Sequence, residues 1–265
     1  MKLKNGFAFV GSLVGVGGAA ALYFLVGVSW VGLAVLAGGS ILFYIVAAIG
    51  SSSRTNTTGF GELMRGFLIG LNAGLDGIIA YLVSAVLVSA GAAVGIAAAV
   101  GVLCYLSVFG PISQSEVYQG FLGWLTWVMP MSWLIVALGL LFLVFSFLLS
   151  LVTLFQVPYL RLTGLRVEWK TGTIFVKGGL VANLNYLDTA FNMGNFSFVD
   201  AKSSSWHMEH EAGHTLNLSA FGSFFHLLGA VDENILPARG ANAYAERLAD
   251  SNVPSSSASN IPMWS

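Results

Sequence analysis

Apolar residues fill the first 156 positions of the chain in long runs, and beyond them the pattern changes to alternation. Residues 7–28 and 30–50 are two such runs with room for only a tight turn between them. Each is close to the roughly 20 residues that a helix needs to cross a bilayer, so the pair predicts a helical hairpin. The polar stretch SSSRTNTTGFGELMRG, residues 51–66, reads as the first clear loop. The run 67–110 is too long for one span and predicts two, turning near SAGAAVG. Between Pro111 and Pro130 lies the aromatic segment YQGFLGWLTWVMP, which suits a membrane interface. Residues 131–156 form the last span, for a count of five. Gly15, Gly17, Gly18, Gly91 and Gly95 leave room for close contact between helices.

After Pro158 the periodicity shortens. LRVEWKTGTIFVKGGLVANL predicts two strands around a turn at Lys170–Thr173, and NMGNFSFVDAK adds a further strand-like piece. SSSWHMEHEAGHTLNLSAFGSFFHLLGAV predicts a long helix starting near Ser205 with a serine as N-cap. A second helix is expected at about 241–250. The organisation that results is a transmembrane helical domain over 1–156, a small α+β domain over 157–250, and a flexible or loosely docked tail over 251–265.

Composition supports this division. The chain is 56% hydrophobic and 9% charged, with a mean hydropathy of +0.81, against about 25% charged residues in a soluble domain. We therefore read it as a multi-pass integral membrane protein in contact with lipid. Residues 1–156 hold four basic and three acidic residues; the last 109 hold the other seven and nine, with all four histidines. A net charge of −1 argues against a nucleic-acid partner. The small-residue spans leave homo- or hetero-oligomer formation open. Cys104 is the only cysteine, so no internal disulfide forms. Lys2, Lys4, Arg54 and Arg65 place the N-terminus and the 51–66 loop on the cytoplasmic side. Five spans would then put the C-terminal domain across the membrane, yet Arg161, Arg166, Lys170 and Lys177 pull the other way. A re-entrant element at 117–129 would reconcile the two.

The chemistry lies in HMEHEAGHTLN, residues 207–217. His210-Glu211-Ala212-Gly213-His214 is an HExxH sequence. Residues four apart stand on one face of a helix, so both imidazoles reach one metal while Glu211 sits beside its open position. Zinc takes a third protein ligand and leaves a fourth site for water, whose pKa drops to about 7. Glu211 is placed to take that water's proton. The favoured third ligand is Glu246 in NAYAERLADS, with Asp250 one turn further on; Glu233 in AVDENILP is the alternative. The residue six positions after His214 is Ala220, which excludes the metzincin pattern. Gly213 weakens a helix by about 1 kcal/mol relative to alanine, which points to close packing there.

With HExxH followed by a downstream ExxxD, the chain resembles the gluzincin metallopeptidases, and most of all the membrane-anchored zinc proteases of the Ste24/HtpX kind. The resemblance covers residues 207–250. It implies a zincin-like fold with Zn2+ on His210, His214 and Glu246, Glu211 as general base, and Asp250 orienting a ligand histidine. The expected activity is hydrolysis of peptide bonds in membrane-proximal protein or peptide substrates.

Two other readings compete. The chain could be a non-catalytic subunit of a membrane complex that keeps a zincin-like domain for assembly. Alternatively, Leu75-Asp76-Gly77 spells a tripeptide of the site-2 intramembrane proteases, in which Asp76 would complete the metal site; otherwise Asp76 faces other spans or pairs with Arg65. His207 reads as a surface or supporting histidine. On a straight helix His226 lies about 120° round from His214 and reads as a packing residue rather than a transition-state contact.

Overall fold

A computed structural model describes residues 3–26, 29–50, 59–153, 157–183, 190–200, 203–235, 240–253 and 263–264. It is mostly helical with one small mixed sheet. The N-terminal helices are α1 (Leu3–Val26), α2 (Trp30–Gly50), α3 (Gly59–Ser84) and α4 (Ala90–Tyr105), followed by the short α5 (Gly110–Ser113), α6 (Glu116–Leu125) and α7 (Trp133–Val152). Among the described residues, four stretches are long and apolar enough to cross a membrane: Gly6–Leu25, Gly59–Ser84, Ala90–Val108 and Pro130–Val152. The second of these stretches, α3, is the central one. It is 61% buried, against 28% for each of the other three stretches.

Glycine sets how α1 and α3 meet. A methyl group on Gly11 or Gly15 would collide with the backbone of Leu63 or Phe67, and one on Gly66 or Gly70 with that of Ala8 or Ser12. The two backbones therefore touch directly, the geometry small residues permit in apolar helix pairs. Of the glycines singled out in the sequence, Gly15 lies in this contact, whereas Gly17, Gly91 and Gly95 face open space.

One boundary differs from expectation and another agrees with it. α3 already begins at Gly59, so Glu62 and Arg65 are not loop residues; they form a buried i,i+3 ion pair of 2.8 Å inside it. Arg65 is thus removed from the charges that assign sidedness. Residues 51–58 lie outside the described residues. The turn between α3 and α4 falls just before SAGAAVG, because Ser89 caps α4 by accepting the Ala92 N–H at 3.4 Å.

Strands β1 (Leu162–Glu168), β2 (Thr173–Gly178), β3 (Ala190–Met193) and β4 (Phe196–Val199) form one sheet in the order β1-β2-β4-β3. β1 and β2 are the expected hairpin, with Glu168 opposite Thr173. The single piece expected in NMGNFSFVDAK is instead a second hairpin, β3–β4, turning at Gly194 (φ 73°) and Asn195. β2 and β4 run parallel. Side chains alternate across the sheet. Val176, Phe196 and Phe198 face α7, where they meet Phe142 and Leu143. Phe175 and Val199 face the other way, onto Ala212 and Met208. That second layer is α9 (Ser205–Asn234), which follows the short α8 (Gly179–Ala182) and precedes α10 (Tyr244–Asp250).

α9 starts where the sequence places it, with Ser204 as N-cap. It does not run straight: Gly222 has φ 80° and ψ 177°, a region open to glycine alone, and the helix kinks there. In the turn before the kink, the carbonyls of Leu218, Ser219 and Ala220 accept hydrogen bonds from the side chains of Ser132, Asn72 and Cys104. The 251–265 segment is not loose at its far end. Met263 and Trp264 are buried, the Trp264 indole donates to Asn217 Oδ1 at 2.9 Å, and the Trp264 carbonyl accepts from Gln119. Residues 254–262 lie outside the described residues.

Candidate metal centre

Two helices carry the site, and both supply residues four apart. α9 presents His210 and His214 from one face; α10 presents Glu246 and Asp250. A methyl group on Gly213 would lie 2.5 Å from the Ala249 carbonyl oxygen and 2.8 Å from Ala249 Cα. Only glycine lets α10 come this close. Asn217, one turn beyond Gly213, donates to the Ala245 carbonyl at 3.1 Å and fixes α10 along the axis. At the other end of α10, Tyr44 of α2 donates to Asp232 Oδ2 at 2.9 Å, and that same oxygen accepts the Tyr244 N–H at 3.2 Å.

The geometry that results is convergent. His210 Nε2 and His214 Nε2 are 3.1 Å apart. Glu246 lies across both, with Oε2 3.0 Å from His210 Nε2 and Oε1 3.2 Å from His214 Nε2. All three donor groups fall within 4.8 Å of one another. The other nitrogen of His210, Nδ1, is 2.8 Å from Asp250 Oδ1, and the face of its ring stacks on Trp206 at 5.4 Å. Both histidine side chains are 12% exposed and Glu246 is 10% exposed. Glu211 is buried on the same helix, and its carbonyl accepts from Asn192 of β3 at 3.0 Å.

These donors fit a metal ion. Ligands at about 2.0–2.1 Å in a tetrahedral set lie about 3.3 Å from one another, close to the 3.0–3.2 Å separations seen here. Two imidazole nitrogens facing each other beside one carboxylate need a positive charge between them. Without a metal, protons supply it. Burial alone would lower both histidines, but hydrogen bonds to Asp250 and Glu246 hold His210 well above its usual range, and the charge of Glu246 raises His214. Burial would raise Glu246, yet the adjacent His214 charge and both imidazole hydrogen bonds hold it well below the carboxylate range.

Glu233 does not join the His210–His214–Glu246 group. It lies close enough to feel it, since burial and the charge of Glu246 push it up to about 7. Asp76 is likewise outside the group. It accepts from the Met131 N–H at 2.8 Å and from Asn72 at 3.2 Å, and its expected partner Arg65 is taken by Glu62. His207 is a helix cap: its Nδ1 accepts the Ser204 N–H at 3.1 Å, completing a capping box.

His226 is the residue that a straight helix would have kept away. The Gly222 kink turns the second half of α9 so that the His226 ring lies 6.1 Å from that of His214, with Nε2 donating to the Asn192 carbonyl at 3.2 Å. Burial, with the charge on His214 second, pushes it down to about 4, so it is neutral at physiological pH. The only sequence signal for this is the glycine in SAFGSFFH. No family model, no curated protein and no solved structure matches the chain.

Proposed function

We propose that the protein is a membrane-anchored zinc metallopeptidase that hydrolyses peptide bonds in membrane-proximal protein segments. The observation that carries this reading is the convergence of His210, His214 and Glu246 on one point, with Asp250 behind His210 and Glu211 on the same helix. His210, His214 and Glu246 hold the ion. Asp250 accepts the Nδ1 proton of His210 and so keeps the Nε2 lone pair aimed inward. Bound zinc would polarise a substrate carbonyl and bring the pKa of water to about 7. Glu211 takes a proton from the attacking water on its carboxylate and returns it to the leaving amine. The absence of cysteine from the donor set favours this over a structural zinc site, which closes all four positions with cysteine or histidine.

In this reading α1, α3, α4 and α7 are spans and α2 is a fifth. Large apolar side chains such as Phe24, Leu25, Val94, Phe147 and Leu148 are exposed along them, an arrangement that lipid favours and water does not. The zincin-like part, residues 157–250, packs on α7 through its sheet and on α3 through α9. Substrates therefore approach along the bilayer.

The test is elemental analysis of the detergent-purified protein together with a peptide-hydrolysis assay. About one zinc per chain is expected in the wild type and in Glu211→Gln, with hydrolysis lost in the variant. Zinc-free wild type after reconstitution, or undiminished turnover in Glu211→Gln, overturns the reading.

A further inference from the structure

Trp206 is 40% exposed, and it stands against the candidate metal centre rather than apart from it. It lies as far before His210 in α9 as His210 lies before His214, so the three side chains leave one face of the helix in a row. Their rings follow one another. Trp206 and His210 are stacked, 5.4 Å apart with 13° between their planes, and His210 and His214 are 4.8 Å apart and nearly perpendicular. The Gly222 kink adds His226 at the far end, 6.1 Å from His214. The facing nitrogens of His210 and His214 are therefore flanked by a tryptophan on one side and a histidine on the other.

The two flanks differ in chemistry. His226 is engaged through Nε2 with the Asn192 carbonyl at 3.2 Å. Trp206 has a large apolar surface left over. One face of the indole covers His210, and the ring of His207, pinned by Ser204, stands across it at 5.3 Å. Covering His210 takes that one face alone, and the remainder is open. The side chains of His210, His214, Glu246 and Asp250 are only 8–12% exposed, so Trp206 is the open surface beside them. An indole held by two rings has little rotamer freedom left to lose, which lowers the cost of binding against it. Adjoining residues of an extended peptide are about 3.5 Å apart. With a peptide bond at the His210–His214–Glu246 group, a large side chain on the next residue reaches the indole.

We propose that the open part of Trp206 is the apolar wall of the substrate site. It selects an aromatic or large aliphatic side chain on the residue next to the scissile bond, on the His210 side. This rests on the zinc-peptidase reading and names its substrate class, peptide segments that are apolar on one side of the cleaved bond.

The experiment is calorimetric titration of the zinc-loaded, detergent-purified chain with acetohydroxamate and with 3-phenylpropanohydroxamate. The two share a metal-binding group and differ by a benzyl group. Zinc content is measured on the same samples. The wild type should bind the phenyl compound at least about tenfold more tightly than acetohydroxamate. Trp206→Ala should bind the two alike with zinc retained, and Trp206→Phe should keep most of the preference. An undiminished preference in Trp206→Ala overturns the proposal. If Trp206→Ala does not fold or does not hold zinc, the wild type and Trp206→Phe decide it: equal affinities in the wild type, or a preference wholly lost in Trp206→Phe, overturns it. A wild type that holds zinc and binds both compounds equally removes this proposal alone. One that holds no zinc, or binds neither compound, removes the zinc-peptidase reading as well.

Discussion

Gly213 faces Ala249 with no room for a methyl group between them, the added carbon falling 2.5 Å from the Ala249 carbonyl oxygen. Helix propensity alone would favour alanine at Gly213 by about 1 kcal/mol. Overpacking costs about 1–3 kcal/mol, and the atom in the way is backbone. Gly213→Ala is therefore expected to lower the thermal midpoint and to push α10 outward, taking Glu246 with it. Metal content should fall alongside. An alanine variant with the wild-type midpoint and full zinc would mean that the two helices are not held at this distance.

Asp250 touches His210 only through Nδ1, on the side away from His214. Losing such a support costs about 10–100-fold in metal affinity. Asp250→Ala should weaken zinc by that order, Glu246→Ala should abolish stoichiometric binding, and Glu233→Ala should leave it intact. Competition with a chelator of known affinity ranks the three. Equal effects of Glu246→Ala and Glu233→Ala would reassign the third ligand.

The charge arrangement gives the metal-free protein a characteristic pH response. His210 and His214 are raised, against burial, by Asp250 and Glu246. Their stabilisation is complete below 6.5 and is lost as pH rises through the raised values. Glu246 is depressed, so its contribution is present above 4.5 and lost on acidification. His226, held near 4 by burial, works against the pair, giving stability above 6.5 that is withdrawn as pH falls towards 4. Above 6.5 His226 is neutral both folded and unfolded, so the raised histidines alone set the trend there. With chelator, the thermal midpoint should fall as pH rises from about 7. With zinc the trend should reverse, because the ion displaces protons held by the two imidazoles. Midpoints that rise with pH in chelator would contradict this balance.

Gly222 combines a backbone conformation worth about 1–3 kcal/mol of strain for other residues with a side-chain direction blocked by Asn72. Gly222→Ala should be markedly destabilising and should swing His226 away from His214. His226→Phe keeps the ring volume and should leave zinc stoichiometry unchanged. Loss of zinc in His226→Phe would instead make this histidine part of the metal's support.

Trp264 is expected to matter far more than a terminal position suggests. Replacing a buried tryptophan by alanine costs about 3–5 kcal/mol, and here it also strips Asn217 of a partner. Trp264→Phe keeps most of the volume and should cost about 1 kcal/mol for the lost hydrogen bond. Denaturation midpoints of the two variants in one detergent compare them directly.

The local parts of this architecture were legible in the sequence. Ser204 announces the start of α9, Lys170–Thr173 announces a hairpin, and the two four-residue spacings name His210, His214, Glu246 and Asp250. Each depends on residues near one another in the chain. What was hidden depends on distant partners. Asn72 reaches Ala220 across 148 positions, Gln119 reaches Trp264 across 145, and Tyr44 reaches Asp232 across 188. The bend at Gly222 was hidden for a related reason: a glycine inside a helical pattern is compatible with a straight helix or a broken one, and Asn72, Ser132 and Cys104 decide between them from other elements.

The direct backbone contact between α1 and α3 has a consequence for biosynthesis. Gly15 has no partner until Phe67, Gly70 and Leu71 emerge, and the whole of α2 is made in between. At about 5–20 residues per second, α1 waits several seconds with its glycine face open. Nascent chains halted before α3 should therefore be the ones held by membrane chaperones, and those halted after it should be released.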